Sequence, residues 1–241
     1  MNQYPKELLI TKYKINKKQF GRFGLPLLTE LEYVHKLNAH IKEELQVKHN
    51  MNINKLRKYI FKFGNEFMNI NSQLIPSEIN LAQIDTRELY TQFVGDFFEA
   101  FAEFFLKTFD NDSRFGIKKY TPNIDKDDMG VDGSGFCYDD TKSLNPCVVQ
   151  VKYRINELNE IDYSALARTC AQGVMQYDLN VKVDNCIILF SSCKGSNYNA
   201  KKVFGNTLFE INDKVINQEL NNVEFWENFF KCFEKENNNG T

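Results

Sequence analysis

Apolar residues recur every three or four positions through the first part of the chain, and this spacing predicts helices. The first apolar stripe follows a capping-box pattern, with Thr29 at the cap and Glu32 three residues later. A second helix is predicted over about residues 54–68, and a third, rich in phenylalanine, over residues 86–109. The two earlier stripes contain, in chain order, Leu31, Val34, Leu37, Ile41 and Leu45, then Ile53, Leu56, Ile60, Phe63 and Phe67.

Beyond residue 115 the pattern changes to short alternating or continuous apolar runs, which are typical of β-strands. Residues 129–138 and 146–154 flank a polar turn and predict a β-hairpin. Further strands are predicted at residues 115–122, 185–191 and 208–213, and helices at 162–177, 199–204 and 223–235. This order of strands and helices predicts an α/β fold with a mixed β-sheet flanked by helices.

The predicted helix over residues 162–177 has Asp162 as its N-cap and an apolar stripe that should face the sheet. That stripe consists of Leu166, Cys170, Val174 and Tyr177. Gln172 and Gln176 fall beside the stripe, where they could approach DNA or a partner.

Charge is distributed unevenly along the chain. Residues 1–62 contain 13 Lys and Arg against 5 Asp and Glu, whereas the remaining residues contain 17 against 27. The basic N-terminal region suits contact with a polyanion, and the acidic remainder suits metal binding. Chance scatter of surface charge is the alternative. We therefore predict a basic, mostly helical N-terminal region over residues 1–85 and a second domain over residues 86–241. The N-terminal region is a candidate for DNA recognition, or a helical subdomain that only packs on the core.

The six cysteines include no Cys-x-x-Cys pair and no Cys/His cluster, so a structural zinc site is not expected. The N-terminal segment is polar and lysine-rich, unlike a signal peptide, and no apolar run reaches the roughly 18 residues of a membrane span. We therefore expect a cytoplasmic protein with no membrane partner.

The strongest candidate chemistry lies in the predicted hairpin. Gly130-Val131-Asp132-Gly133 places an acid in a glycine-flanked bend, and Val148-Val149-Gln150-Val151-Lys152 follows it as a strand. Alternation along that strand directs Gln150 and Lys152 to one face. Strand pairing can bring Asp132 opposite that face. An ordinary hairpin with a half-exposed polar face is the alternative interpretation.

These residue types suit a divalent metal beside a phosphodiester. Mg²⁺ prefers oxygen ligands and keeps several waters, so a carboxylate, an amide oxygen and a main-chain carbonyl can hold it. The metal polarises a phosphoryl oxygen and makes a bound water a better nucleophile. A nearby lysine can offset the negative charge of the transition state or orient the attacking water.

Taken together, these residues resemble the PD-(D/E)XK nuclease superfamily and, more narrowly, the catalytic domain of Mrr-type restriction endonucleases. That family has a glycine and a glutamate on an opening helix, then a Gly-x-Asp-Gly-like turn, then Gln-x-Lys. The present chain has Gly95-Asp96-Phe97-Phe98-Glu99 on the predicted long helix, followed by Asp132 in the turn and by Gln150 and Lys152 in the strand. The resemblance extends from about Glu88 to the C-terminus.

By this resemblance, Glu99, Asp132, Gln150 and Lys152 form the catalytic set. Asp132, Gln150 and Glu99 are the expected metal ligands, and Lys152 is the expected catalytic lysine. Mg²⁺ is the expected cofactor, for which Mn²⁺ can substitute. Glu103 lies one helical turn from Glu99 and could reach the same site. The acidic turn could add a further ligand or only cap the bend; it contains Asp125, Asp127 and Asp128.

The resemblance implies a restriction-endonuclease-like fold and a metal-dependent endonuclease of restriction type. The expected substrate is double-stranded DNA, and the expected assembly is a homodimer, since a two-fold enzyme matches two-fold DNA. Two alternatives stay open on the same fold. One is a structure-specific nuclease that acts on junctions or in repair, and the other is a catalytically silent DNA-binding module.

Overall fold

The computed structural model describes residues 39, 41–43, 51–59, 86–110, 112–123, 130–138 and 142–234. The capping box at Thr29, the acidic turn and most of the predicted region 1–85 lie outside these residues. The predicted domain boundary at residue 86 stays a prediction.

The described residues belong to two compact units. One is built from Phe101–Ile216, and the other from the described residues up to Ala100 together with those from Asn217 onward. The long helix α1, Thr86–Thr108, contributes its last turns to the first unit and its earlier turns to the second.

The first unit is organised around a five-stranded sheet whose strand order follows the chain, β1-β2-β3-β4-β5. The strands are β1 Lys118–Pro122, β2 Gly133–Tyr138, β3 Leu144–Lys152, β4 Ile187–Ser191 and β5 Leu208–Ile211. β1, β2 and β3 pair antiparallel, whereas β3, β4 and β5 pair parallel. The predicted mixed sheet and its hairpin are therefore confirmed.

Helices lie on both faces of this sheet. Helix α2, Tyr163–Gln176, connects the parallel strands β3 and β4 and packs on the face that carries Val148, where a Cβ on Gly173 would lie 3.2 Å from the valine side chain. The opposite face carries Phe190, whose ring centroid lies 5.4 Å from that of Phe105 on α1. Helix α3, Tyr198–Phe204, then leads from β4 to β5.

The inward face of α2 differs from the apolar stripe that the sequence predicted. The buried residues are Ala165, Leu166, Thr169, Gln172 and Gly173. Val174, which was expected to face inward, is 50 % exposed, and the placement of Gln172 on an accessible flank is wrong because only 2 % of it is exposed. This difference arises from tertiary packing. Helix α2 covers a sheet face that carries the polar Gln150 and approaches that face closely at Gly173, so small and polar residues of α2 pack against it.

In the second unit, residues 53–59 form a helical segment whose first backbone groups bind side-chain amides. Asn221 Oδ1 accepts from the Met51 N–H at 2.6 Å, and Asn217 Oδ1 accepts from the Ile53 N–H at 2.6 Å. Arg57 lies outside the predicted apolar stripe of this helix, yet it is only 4 % exposed. It lies four residues after buried Ile53 and therefore on the same helical face.

The chain then ends its described part with two helices. They are α4, Asp213–Asn217, and α5, Val223–Glu234. Helix α5 buries Phe225, Trp226 and Phe229. None of the helices in the described ranges has the length and apolar character needed to cross a bilayer.

Candidate functional site

The turn that precedes β2 is fixed by two glycines with different roles. Gly130 has a φ of 105°, a backbone conformation that suits glycine and strains other residues. A Cβ on Gly133 would overlap the ring of Tyr120, whose hydroxyl donates to the Asp132 carbonyl at 3.3 Å. The two glycines therefore define the backbone path on both sides of Asp132.

The Asp132 carboxylate is buried and hydrogen-bonds to β3 just beyond the point where the pairing of β2 with β3 ends. Pairing of β2 with β3 stops at Gly133 and Val149. The Asp132 N–H donates to the Val149 carbonyl at 2.9 Å, and Asp132 Oδ2 accepts from the Val151 N–H at 2.6 Å. Within the described part of the chain, no group donates to the other oxygen, Oδ1. The carboxylate is thus anchored by one oxygen and has the second available.

Gln150 lies on β3 and contacts both the turn before β2 and helix α2. Its side chain is 1 % exposed. Nε2 lies 3.4 Å from Asp132 Oδ2, and Oε1 lies 2.6 Å from the Thr169 hydroxyl. The same hydroxyl lies 2.7 Å from the Gly130 carbonyl oxygen. The structure therefore brings two of the predicted site residues, Asp132 and Gln150, into direct contact.

Lys152 ends β3 on the same face as Gln150, with about 7 Å between the two Cα atoms. Its side chain is half-buried. Its ammonium group has no ion-pair partner among the residues that the structure describes. A positive charge at the strand end is therefore available to an anionic ligand beside the buried pair.

The two helix acids differ in their surroundings. Glu99 is half-buried on the part of α1 that belongs to the second unit, and its role as the fourth site residue stays a prediction. Glu103 belongs to the first unit, is 1 % exposed, and has Oε1 2.8 Å from Lys107 Nζ. Burial lowers the pKa of Lys107, while the Glu103 carboxylate opposes this shift. Glu103 is engaged in this ion pair.

The donor atoms of the Asp132–Gln150 pair fit a hard divalent cation. Carboxylate and amide oxygens are ligands that Mg²⁺ and Mn²⁺ accept, and Mg²⁺ completes its shell with water and substrate oxygens. Across the described ranges, no group of three or more His, Cys, Asp and Glu side chains is placed to hold a metal.

Thr169 is a site residue that the sequence interpretation missed. Its hydroxyl contacts both Gln150 and the turn, yet it was left off the inward face of its helix. A signal was present, because Leu166, Thr169 and Gly173 share helical spacing. A polar residue between a leucine and a glycine on one helical face was a candidate for contact with a polar strand residue.

Five cysteines among the described residues are free thiols: Cys137, Cys147, Cys170, Cys186 and Cys193. Burial raises the pKa of Cys186 to about 12. A thiol that stays protonated is a poor nucleophile, so Cys186 is not a candidate for nucleophilic chemistry.

Comparison with known proteins adds little to this description. No family model matches the chain, and no curated protein matches it. A solved structure of MspJI restriction endonuclease in complex with a 27-mer oligonucleotide matches at 14 % identity and a TM-score of 0.35. The match covers 66 % of the present chain and 39 % of that chain. Similarity at this level does not indicate a function.

Proposed function

We propose that the chain is a metal-dependent endonuclease of the PD-(D/E)XK type that hydrolyses phosphodiester bonds in double-stranded DNA, most simply as a restriction-type homodimer. The observation that carries this proposal is the buried Asp132–Gln150 pair, with 3.4 Å between its facing atoms, on the strand that ends in Lys152. The order of the motifs along an α/β fold supports it.

The residues divide the work between them. Asp132 and Gln150 would hold Mg²⁺ through a carboxylate oxygen and an amide oxygen. The chemistry that a divalent cation would supply there is polarisation of the scissile phosphate and a nucleophile at neutral pH. Lys152 offsets the negative charge that develops on the phosphoryl oxygens, in a partly water-excluded site where such interactions are strong. Glu99 completes the set by family resemblance.

A purely structural role for Asp132 makes a different prediction. As a cap on the Val151 N–H, the side chain needs only an oxygen acceptor, which an asparagine also provides. As a cation ligand it needs its negative charge. The substitution Asp132→Asn therefore separates the two roles, because it keeps the hydrogen bond and removes the charge.

The test is cleavage of supercoiled plasmid with Mg²⁺ or Mn²⁺, and then with EDTA. We expect nicking or linearisation that EDTA stops, and a loss of at least about a hundredfold in rate for Asp132→Asn and for Lys152→Ala. Matched controls are Asp178→Asn and Lys182→Ala, two exposed positions in the loop after α2. These controls should cut at the rate of the unmodified protein.

Three results would contradict the proposal in different ways. Normal cutting by both site variants shows that the site assignment is wrong. Cleavage of branched DNA without cleavage of linear DNA favours the structure-specific nuclease. The absence of cleavage with every divalent ion, on methylated and unmethylated DNA alike, favours the catalytically silent binding module.

A further inference from the structure

The hydroxyl of Thr169 has more acceptors within reach than it has protons to give. Thr169 is fully buried. Its Oγ1 lies 2.6 Å from Gln150 Oε1, 2.7 Å from the Gly130 carbonyl oxygen and 3.2 Å from the Ala165 carbonyl oxygen. A threonine hydroxyl donates one proton and otherwise only accepts. With the amide in this orientation, one of the two shortest oxygen–oxygen contacts therefore has no proton.

Rotation of the Gln150 amide by 180° about its terminal side-chain bond removes this conflict. The nitrogen and oxygen of a glutamine amide exchange places in that rotation, and the hydrogen-bond network decides between the two orientations. Nε2 then donates to Thr169 Oγ1, and Thr169 donates to the Gly130 carbonyl. Each of the two short contacts then has one proton.

The same rotation changes what faces Asp132. The amide oxygen of Gln150 takes the position now 3.4 Å from Asp132 Oδ2, where two acceptor oxygens meet without a proton between them. Such an arrangement is repulsive alone and favourable beside a cation. Two oxygens that bind one Mg²⁺ as neighbours, at the usual 2.0–2.1 Å, lie about 3 Å apart, close to the separation in this pair.

We propose that Thr169 is a positioning residue: it turns the Gln150 amide oxygen toward Asp132 and thereby prepares the pair to bind a divalent cation. This inference rests on the cation of the proposed function. Thr169 does not touch substrate or cation, and it acts by fixing the orientation of a ligand, as a hydrogen-bonded outer-shell partner does for other metal ligands. Its contact with the Gly130 carbonyl also ties that orientation to the turn that carries Asp132.

The first test is calorimetric titration of Mn²⁺ into the unmodified protein, Thr169→Val and Thr169→Ser, without DNA. Valine preserves the shape of threonine and removes the hydroxyl, whereas serine keeps the hydroxyl. We expect the valine variant to bind Mn²⁺ about 10–100-fold more weakly and the serine variant to bind as the unmodified protein does. Equal thermal midpoints for the two variants would exclude a general loss of structure.

The second test needs no metal. The measurement is solvent exchange of the side-chain N–H protons of Gln150, which are assigned by the loss of their signals in Gln150→Glu. In the unmodified protein these protons should exchange slowly because Thr169 accepts one of them. In Thr169→Val the same protons should shift and exchange faster. Equal exchange rates of these protons in the unmodified protein and in Thr169→Val would overturn the inference.

The outcomes separate this inference from the function on which it rests. Mn²⁺ binding by the unmodified protein and by Thr169→Val with equal affinity overturns the positioning role and leaves the nuclease proposal standing. Absence of Mn²⁺ binding by the unmodified protein overturns both. Weakened binding in Thr169→Val, restored in Thr169→Ser, supports the positioning role.

Discussion

The two faces of the sheet at β3 and β4 are both buried, but they are built from different chemistry. One face packs aromatic rings, with Phe105 between Phe115 at 5.0 Å and Phe190 at 5.4 Å. The other packs the polar side chain of Gln150 against Thr169 at 2.6 Å and against Asp132 at 3.4 Å. Apolar contacts are non-directional, whereas a buried polar group costs stability unless each donor and acceptor is matched.

This difference indicates which face the protein keeps for stability and which for function. An apolar side chain in place of Gln150 would fill the same space without desolvating an amide, so stability alone does not explain the polar face. Sites that depart from the simplest packing solution are commonly functional. The predictions below test whether the two faces separate in this way.

The largest effect on stability is expected on the aromatic face. Phe105→Ala should lower the free energy of unfolding by about 3–5 kcal/mol, because it removes a fully buried ring and leaves a cavity. Urea denaturation measures this change. Tyr198→Ala is the matched aromatic control, since Tyr198 is 75 % exposed and its loss should change stability by less than about 0.5 kcal/mol. Mn²⁺ affinity of folded Phe105→Ala should be unchanged; a parallel loss would show that the faces are coupled.

A smaller effect on stability is expected at Asp132, where it should depend on the replacement. Asp132→Ala leaves the buried Val151 N–H without its acceptor, whereas Asp132→Asn keeps an oxygen there. The free energy of unfolding should therefore be about 1–3 kcal/mol lower for Asp132→Ala than for Asp132→Asn. The pair should be compared by urea denaturation in EDTA. Equal stability of the two variants would mean that the Val151 N–H finds another acceptor.

The smallest effect is expected at the N-terminus of α2, the helix that carries Thr169. Asp162 Oδ1 accepts from the Ser164 hydroxyl at 2.7 Å and from the Ala165 N–H at 2.9 Å. The hydrogen bond from Ser164 contributes most to lowering the pKa of Asp162, and the hydrogen bond from Ala165 adds to it. Asp162→Ala should therefore cost about 1 kcal/mol at neutral pH, as the loss of an N-cap does.

The pH dependence at Asp162 follows from the sign of that shift. A carboxyl with a folded-state pKa below its unfolded value of about 3.9 stabilises the fold above that pH, and the contribution is lost as pH falls through the folded-state pKa. Asp162→Asn keeps a capping oxygen and cannot titrate there. The stability difference between the unmodified protein and this variant should shrink on acidification from pH 7, and a difference independent of pH would contradict the assignment.

Local patterns were sufficient for most of the elements and for part of the site. The alternation in Val148–Lys152 predicted Gln150 on the face opposite Val149 and Val151. The glycine-flanked turn was expected to bring Asp132 toward Gln150, and the two side chains are in contact. The Asp162 cap correctly marked the start of α2. Each of these features depends on residues within a few positions of one another, where backbone geometry and local hydrogen bonds decide the outcome.

Contacts between distant segments decided the rest. At 100° per residue, the inward face of α2 is turned by about a quarter of a turn from its apolar stripe, so Thr169 faces Gln150 while Val174 faces solvent. The same holds for Arg57, which is buried although its charge favoured an outer position.

The sequence by itself determined the strand alternation, the turn and the acid, amide and amine that define the candidate site, because these follow from local geometry. Only the tertiary structure decided which hydroxyl meets the amide and which backbone N–H the carboxylate binds. The two residues of each pair are 19 positions apart in the chain, so their meeting depends on how the strands pair and how closely a helix can approach the sheet.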